Sequence, residues 1–521
     1  MFMEFSLSFL APCVLSVLAI HAWRQPGCRP KGLPHLAEYA ALAALGVAAL
    51  GLVQVAVVGT AVLSFIEAPA SRALNANLVT SALVLLVAFI GWVVVRYSRT
   101  YLDGEAQEGR FHALMLATLA AVLLFVQSGN LGMLILSSAL IGFCLKRLLL
   151  FYRERPEARR AATKFALVWH GADAALVIAA LLLVANYGTG NLGEIATVAS
   201  KIGLTWSSSL GIALIVFAAA LKTAAFPMHG WLTEVMEAPT PVSALLHAGI
   251  INSGGILLIL LAGLVQLSPG VMAALVMIGG FTAIFGAAVM LTQSAVKTSL
   301  AWSTVSQMGF LLLQCGLGLW ALALLHIVAH SLYKAHAFLS SGGAVQAVAS
   351  LRRPGPIAVP SFAAVLKSFA LALVLYALIA TAFSVLLGPK TAQALALGAI
   401  LIFGVAYLVA QGLADLAPAE LTKRTALLSL GAAIAYFAFQ AGAQAFWGPA
   451  LPLAPTPGPL EWALIVLAVA SFGLVAFAQA LFPLWAHHPS TAGLRVHLAN
   501  GFYMNALLDR AIGGFRSEKA Y

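Results

Sequence analysis

Apolar runs of about 20 residues, the length that crosses a bilayer core as a helix, recur from one end of the chain to the other. In hydrocarbon every backbone N–H and C=O must find a partner within the protein, so only helices and closed barrels can span. A barrel would be written as short segments of alternating polarity, and these runs are continuous. The sequence therefore predicts an all-α polytopic membrane protein. Its balance of 62% hydrophobic and 9% charged residues over 521 positions is one that no soluble domain needs.

Run lengths and breakers predict about 15 transmembrane helices. They lie near residues 5–23, 37–65, 74–95, 111–127, 130–150, 164–186, 207–225, 241–264, 270–293, 300–317, 319–347, 362–387, 391–413, 425–446 and 460–484. The distribution of basic residues tests the count. Of the 28 lysines and arginines, 22 fall in loops after odd-numbered spans or in the tail. Arg72, Lys201 and Lys390 are in loops after even-numbered spans, and Lys222, Lys334 and Lys367 lie inside spans. The positive-inside rule then puts the odd-numbered loops and the C-terminus in the cytoplasm and the N-terminus outside. The first apolar run lacks a basic segment before it and reads as a retained helix, not a cleaved signal.

The formal charge of +11 is spread over many short loops, so nucleic acid is not the expected partner. The richest basic loop, residues 146–164, suits topology and anionic lipid, or the docking of a cytoplasmic partner. The tail after residue 485 is too polar to span; its HLANGFYMNALLDRAIGGFR is amphipathic and could lie on the membrane or against a partner. Cys13, Cys28, Cys144 and Cys315 have neither metal nor disulfide-framework spacing. No phosphate loop, dinucleotide fingerprint, haem motif or iron–sulfur spacing occurs, so no cofactor is expected in this chain.

The chemistry centres on Leu221 to Ile259. Lys222 sits near the end of an apolar run that Pro227 interrupts, a short amphipathic piece follows, and Pro239 and Pro241 precede a helix carrying His247. Broken helices at membrane depth are tolerated only where the freed backbone is buried in protein or lines a wet cavity. An ionisable group there points to function. The plainer account, a lysine snorkelling to the interface, does not explain the irregular backbone beside it.

His326, His330 and Lys334 repeat at four-residue steps and form one slowly rotating helix stripe about 12 Å long. Histidine titrates near neutral pH and passes protons. His326 and His330 have zinc-compatible spacing, but no nearby carboxylate or cysteine completes a site. Lys367 is a third deep lysine, and Asp173 is the one carboxylate well inside a span, expected to pair with Lys222. His170 lies one turn from Asp173; His336, Glu234 and Glu237 are accessory candidates, the glutamates as gate or cap of the broken stretch.

These residues carry a resemblance. FPMHGWLTEVMEAPTPVSALLHAG, KTSLAWSTVSQMGFLLL and HIVAHSLYKAHAFLSSGGAV resemble the proton-translocating, antiporter-like subunits of respiratory complex I and of multisubunit cation/proton antiporters. The resemblance covers roughly residues 110–390. It implies two inverted repeats, each with a broken helix, and a polar axis across the membrane midplane. It maps the first broken-helix lysine to Lys222, the bridging groups to His326, His330 and Lys334, the second broken-helix lysine to Lys367, the following histidine to His247 and the sixth-helix acid to Asp173. The chain departs where those subunits carry Trp-Glu in the fifth helix: here stand Ser138 and Ala139, and Asp173 is expected to take the acid's role. Lys367 is followed by Ser368 in place of an acid.

YKAHAFLSSG, FYRERPEARRAATKF and NGFYMNALLDR are similar to the DabB branch, the membrane subunits of two-component DAB inorganic-carbon uptake complexes. That resemblance implies a peripheral cytoplasmic partner of DabA type. The partner would hold the zinc and hydrate CO2 to bicarbonate, driven by protons or Na+ moving through this chain in a bacterial inner membrane. The chain would then be a transporter subunit and not itself an enzyme. The organisation expected is N-terminal helices over 1–110, repeats over 111–264 and 265–415, C-terminal helices over 416–485 and a cytoplasmic tail over 486–521. Two other readings stand beside it: a subunit of a respiratory dehydrogenase or Na+/H+ antiporter, and a passive anchor for a partner.

Overall fold

The computed structural model describes residues 5–64, 72–350, 362–412, 419–481 and 488–511. Ten of its helices are long and apolar enough to cross a membrane, and three shorter apolar helices join them. With Val296–Gly316 and Ala419–Trp447, the described residues hold fifteen helical spans, the number read from the runs. In chain order the helices are α1 Leu10–Trp23, α2 Leu33–Val58, α3 Leu78–Tyr101, α4 Glu108–Val126, α5 Leu131–Leu149 and α6 Pro156–Tyr187. Then come α7 Leu192–Ile202, which is too short to span, and α8 Trp206–Lys222. The broken region is α9 Gly230–Thr233, α10 Thr240–Ala248, α11 Ser253–Leu260 and α12 Ala262–Val265. The rest are α13 Pro269–Met290, α14 Val296–Gly316, α15 Trp320–Ser350, α16 Phe362–Leu387, α17 Ala392–Gly412, α18 Ala419–Trp447 and α19 Pro459–Ala480.

The helix starts follow local chemistry. Asn77 caps α3 by accepting from Val79 and Thr80 N–H groups, Asn130 accepts from Met133 N–H, and Thr205 with Ser208 forms a capping box on α8. Pro156 opens α6, and Gly188 at φ 69° closes it. One element departs from the sequence reading. The second span stops at Val58, and β1 (Ala61–Ser64) pairs antiparallel with β2 (Arg72–Ala76), Ala61 facing Ala76 and Leu63 facing Leu74. Gly59 at φ 108° ends the helix, a backbone state that favours glycine.

α13 and α14 pack backbone to backbone. A Cβ on Gly279 would lie 2.4 Å from the Leu313 nitrogen, and one on Gly309 would lie 2.4 Å from the Ala283 nitrogen. Small residues permit this approach where lipid offers helices no hydrophobic drive to associate.

The connections sort by parity. At one end Arg29 pairs with Asp103 at 2.9 Å, Arg155 with Glu237 at 2.7 Å, and Gln293 donates to the Ala499 carbonyl at 3.2 Å. At the other, Asn130 donates to the Arg72 carbonyl at 2.9 Å, Gln266 to that of Leu453 at 2.7 Å and Gln393 to that of Pro455 at 2.6 Å. Loops after odd-numbered spans thus meet one another, as do loops after even-numbered spans.

Candidate functional site: two buried polar clusters

The first cluster forms where α8 stops. Its last residue is Lys222, and Ala224 at φ 52° turns the chain out of the helix. Lys222 is fully buried. Its Nζ donates to Asp173 Oδ1 at 2.8 Å and to Ser138 Oγ at 2.7 Å, while Ser138 Oγ donates to Asp173 Oδ1 at 2.6 Å. The ammonium also lies 3.8 Å from the centroid of the Trp169 ring, in cation–π contact. Trp169 Nε1 in turn donates to the Ser138 carbonyl at 3.0 Å.

The expected pairing of Asp173 with Lys222 is therefore present, completed by two residues the sequence reading did not assign to it. Ser138, on α5, bridges acid and lysine. The aromatic and the acid both come from α6, four residues apart, so they share a helix face. That spacing was the available signal for Trp169. Asp173 Oδ2 is buried with no hydrogen-bond partner, and His170 Nδ1 stands 3.9 Å from it on a largely exposed ring. Two opposite charges held in a dry interior need such partners, because desolvation of each ion opposes their attraction.

The second cluster lies among α10, α14 and α15. α10 ends at Ala248, a short 3₁₀ turn Ile250–Asn252 follows, and Asn252 Nδ2 donates to the Ala248 carbonyl at 3.0 Å and to Ser331 Oγ at 3.0 Å. This satisfies one of the carbonyls freed by the break, as buried irregular backbone requires. His247, fully buried one residue before that end, stacks on Phe338 with centroids 4.3 Å apart and bonds Thr304 Oγ1 through Nδ1 at 3.1 Å.

The stripe on α15 faces this point. Lys334, fully buried, donates to the Leu300 carbonyl at 2.9 Å, and Thr304 Oγ1 donates to the same carbonyl at 3.0 Å. His330 Nε2 lies 3.2 Å from the His247 carbonyl; a carbonyl only accepts, so that nitrogen carries the proton. His326 Nδ1 bonds Gln314 Oε1 at 2.8 Å, and its ring centroid is 5.9 Å from that of His330. Nε2 of both His247 and His326 is buried without a partner, leaving each ring one nitrogen open to water or a proton. Lys334, His247 and His330 are thus joined by hydrogen bonds through Leu300 and Thr304, with the His326 ring beside His330 and held by Gln314; the sequence reading did not single out Leu300, Thr304 or Gln314. Beyond the far end of the stripe a cavity of ≈ 350 Å³ is lined by Trp320, Lys390, Gln440 and Gln444.

The remaining candidates fall elsewhere. Lys367 is exposed on α16, which runs unbroken over its described length from Phe362 to Leu387, so no break adjoins it there. His336 is exposed. Glu237 pairs with Arg155 at the surface, whereas Glu234 is half-buried and pairs with Lys164 at 2.9 Å. No hydrogen bond links the Lys222 cluster to the Lys334 cluster among the described residues. Nor, among them, do three His, Cys, Asp or Glu side chains gather as a metal site would need.

The family model described as NADH:quinone oxidoreductase/Mrp antiporter, TM matches residues 128–382, which hold every one of these candidates. The probable inorganic carbon transporter subunit DabB2 of Halothiobacillus neapolitanus (strain ATCC 23641 / c2) is 37% identical over 98% of this chain and 93% of its own. The probable inorganic carbon transporter subunit DabB of Hydrogenovibrio crunogenus (strain DSM 25203 / XCL-2) is 45% identical over 50% of this chain and 51% of its own. A chain in the structure of the Mrp complex from Dietzia sp. DQ12-45-1b superposes with a TM-score of 0.58 at 22% identity, over 97% of this chain and 57% of that one, and shows the fold alone. With identity of this level along nearly its whole length, the chain belongs to the DabB family of membrane subunits, built on the NADH:quinone oxidoreductase/Mrp antiporter fold.

Proposed function

We propose that this chain moves cations, protons in the first instance, through the membrane and so energises inorganic-carbon uptake by a peripheral zinc protein of DabA type. The observation that carries the reading is the buried Lys222–Asp173–Ser138 cluster at the end of a broken helix. An ion pair at membrane depth is costly to keep and has no structural purpose that an apolar pair would not serve better. Lys222 and Lys334 act as carriers, Asp173 modulates the charge on Lys222, and His247, His326 and His330 pass protons between them. Lys367 is a third carrier. His170, His336, Glu234 and Glu237 are accessory. The relatives' names supply the link to inorganic carbon. The zinc and the hydration of CO2 belong to the partner, and this chain is not itself an enzyme. The odd-numbered loops and the tail face the cytoplasm of a bacterial inner membrane, with the N-terminus outside.

The test is bicarbonate accumulation in carbonic-anhydrase-deficient cells expressing the chain with its genomic neighbour. Accumulation should collapse with a protonophore. It should also be lost in Lys222→Ala and Lys334→Ala while the two proteins still co-purify. Full accumulation in both variants would leave the chain a passive anchor. A second reading, a subunit of a Na+/H+ antiporter or respiratory dehydrogenase, draws on the match to the antiporter family model. Sodium-dependent ion exchange without carbon accumulation would favour it.

A further inference from the structure

The tail folds back on the end of the molecule where the odd-numbered loops meet. Its helices Ala492–Ala499 and Met504–Ala511 are joined by a turn at Gly501–Tyr503, where Gly501, Phe502 and Tyr503 all have positive φ. Gly501 sits against Trp302, and the Phe502 ring lies 6.3 Å from that of Phe285. The next turn enters a polar lock. Asn505 accepts from Lys164 Nζ and donates to Glu234. Asp509 pairs with Lys164 at 2.6 Å and with Arg160 at 2.5 Å. Lys164 and Asp509 are buried, and two cations face two carboxylates, so the lock is neutral only with the tail in place. The fit is tight: a Cβ on Gly230, the first residue of α9, would lie 1.7 Å from Asn505 Oδ1.

From α9 the contacts lead inward. Trp231 is fully buried, and its Nε1 donates to the Leu221 carbonyl at 3.1 Å, next to Lys222. Its ring packs on Phe165 at 5.4 Å and on Trp169 at 6.4 Å, and Trp169 holds the Lys222 ammonium on its face. Along α6 the lock at Lys164 and the acid at Asp173 are nine residues apart, roughly 13 Å at the helical rise. The Phe165–Trp169–Trp231 stack fills the space between them.

We propose that Asn505 and Asp509 make the tail a strap that closes this end of the Lys222 site. Seated, the strap holds α9 and keeps Trp231 wedged beneath Lys222. Lifted, it frees α9, and the aromatic stack opens a path from the tail side to Asp173 and Lys222. This rests on the reading of Lys222 as an ion carrier, and ion movement then requires the strap to lift. Asn505 and Asp509 are positioning residues, acting through α9.

Two experiments on the full chain with its partner test this. In the first, Cys13, Cys28, Cys144 and Cys315 are replaced by alanine, and Ser138→Cys reports access to the site. Releasing the strap with Asn505→Leu and Asp509→Asn should raise modification by a membrane-impermeant thiol reagent, applied from the tail side, by about tenfold, as expected for a lowered local opening energy. Arg510→Gln, on the exposed face of the same helix, should leave the rate unchanged. An unchanged rate in the released chain overturns the proposal. In the second, Gly230→Cys and Asn505→Cys, which face each other across the contact, are oxidised to a disulfide that pins the strap. Ion movement should stop and return with reductant; undiminished movement in the cross-linked chain overturns the proposal. If the reduced pair is itself inactive, the labelling result decides alone. Full ion movement in Lys222→Ala would overturn the carrier reading, while the labelling result would still judge the strap.

Discussion

Breaking the Lys222–Asp173 pair from either side should cost far more than removing both charges together. The pair is 2.8 Å apart, with the lysine side chain unexposed and that of the aspartate 11% exposed. At an effective dielectric of about 20, the attraction between two unit charges at this distance is ~6 kcal/mol, most of it offset by their desolvation. Removing one partner strands the other, at a cost of about 3–5 kcal/mol. Asp173→Asn keeps an acceptor for Ser138 but leaves the ammonium without a counter-charge. Lys222→Met keeps the volume but leaves a buried carboxylate held only by the Ser138 hydroxyl. The double variant strands neither charge, so the cycle should show a coupling larger than either single effect, above about 3 kcal/mol. Thermal unfolding of the four chains in one detergent, followed by the loss of monodisperse protein, measures it. Additive single effects would refute the pairing. Ion translocation should be lost in all three variants, which separates the energetics of the pair from its use.

Gly309→Leu should destabilise the α13–α14 contact by about 1–3 kcal/mol, because the added side chain meets backbone and cannot be accommodated by a rotamer change; a lower unfolding temperature checks it. Lys367→Ala should change stability by less than about 0.5 kcal/mol, since the side chain is exposed. Any loss of bicarbonate accumulation in carbonic-anhydrase-deficient cells carrying that variant would then be functional and not structural.

Much of the architecture was legible because hydrocarbon imposes a one-dimensional rule. A span must be long, apolar and helical, so run lengths alone yielded fifteen helices, and the parity of basic loops separated the two ends. Departures arose where local chemistry overrode hydropathy: residues 59–65 are apolar enough to extend α2, but Gly59 ends it and β1 follows. Asp173 was legible because a lone carboxylate in an apolar span needs a cation. Ser138, Trp169 and Thr304 were not, because serine, tryptophan and threonine are common in membrane helices and carry no signal until a partner is seen. Lys367 looked equivalent to Lys222 by type and depth, and the structure separates them: one ends a helix in a sealed cluster, and the other is exposed on an unbroken one.

The tail marks the same boundary. Its amphipathic pattern announced that one face would be covered, with membrane or partner as the candidates, but an amphipathic face does not name what covers it. The fold supplied the answer by bringing Arg160, Lys164 and Glu234, more than 270 residues earlier in the chain, against Asn505 and Asp509. Sequence by itself determined the class, the number of spans, their sidedness pattern and the ionisable groups that hydrocarbon cannot leave unpaired. Each of these follows from local composition and a transfer free energy that every residue meets alone. Which charge meets which, where a helix stops, and what the tail rests on depended on tertiary structure, because they are set by distances between residues remote in sequence.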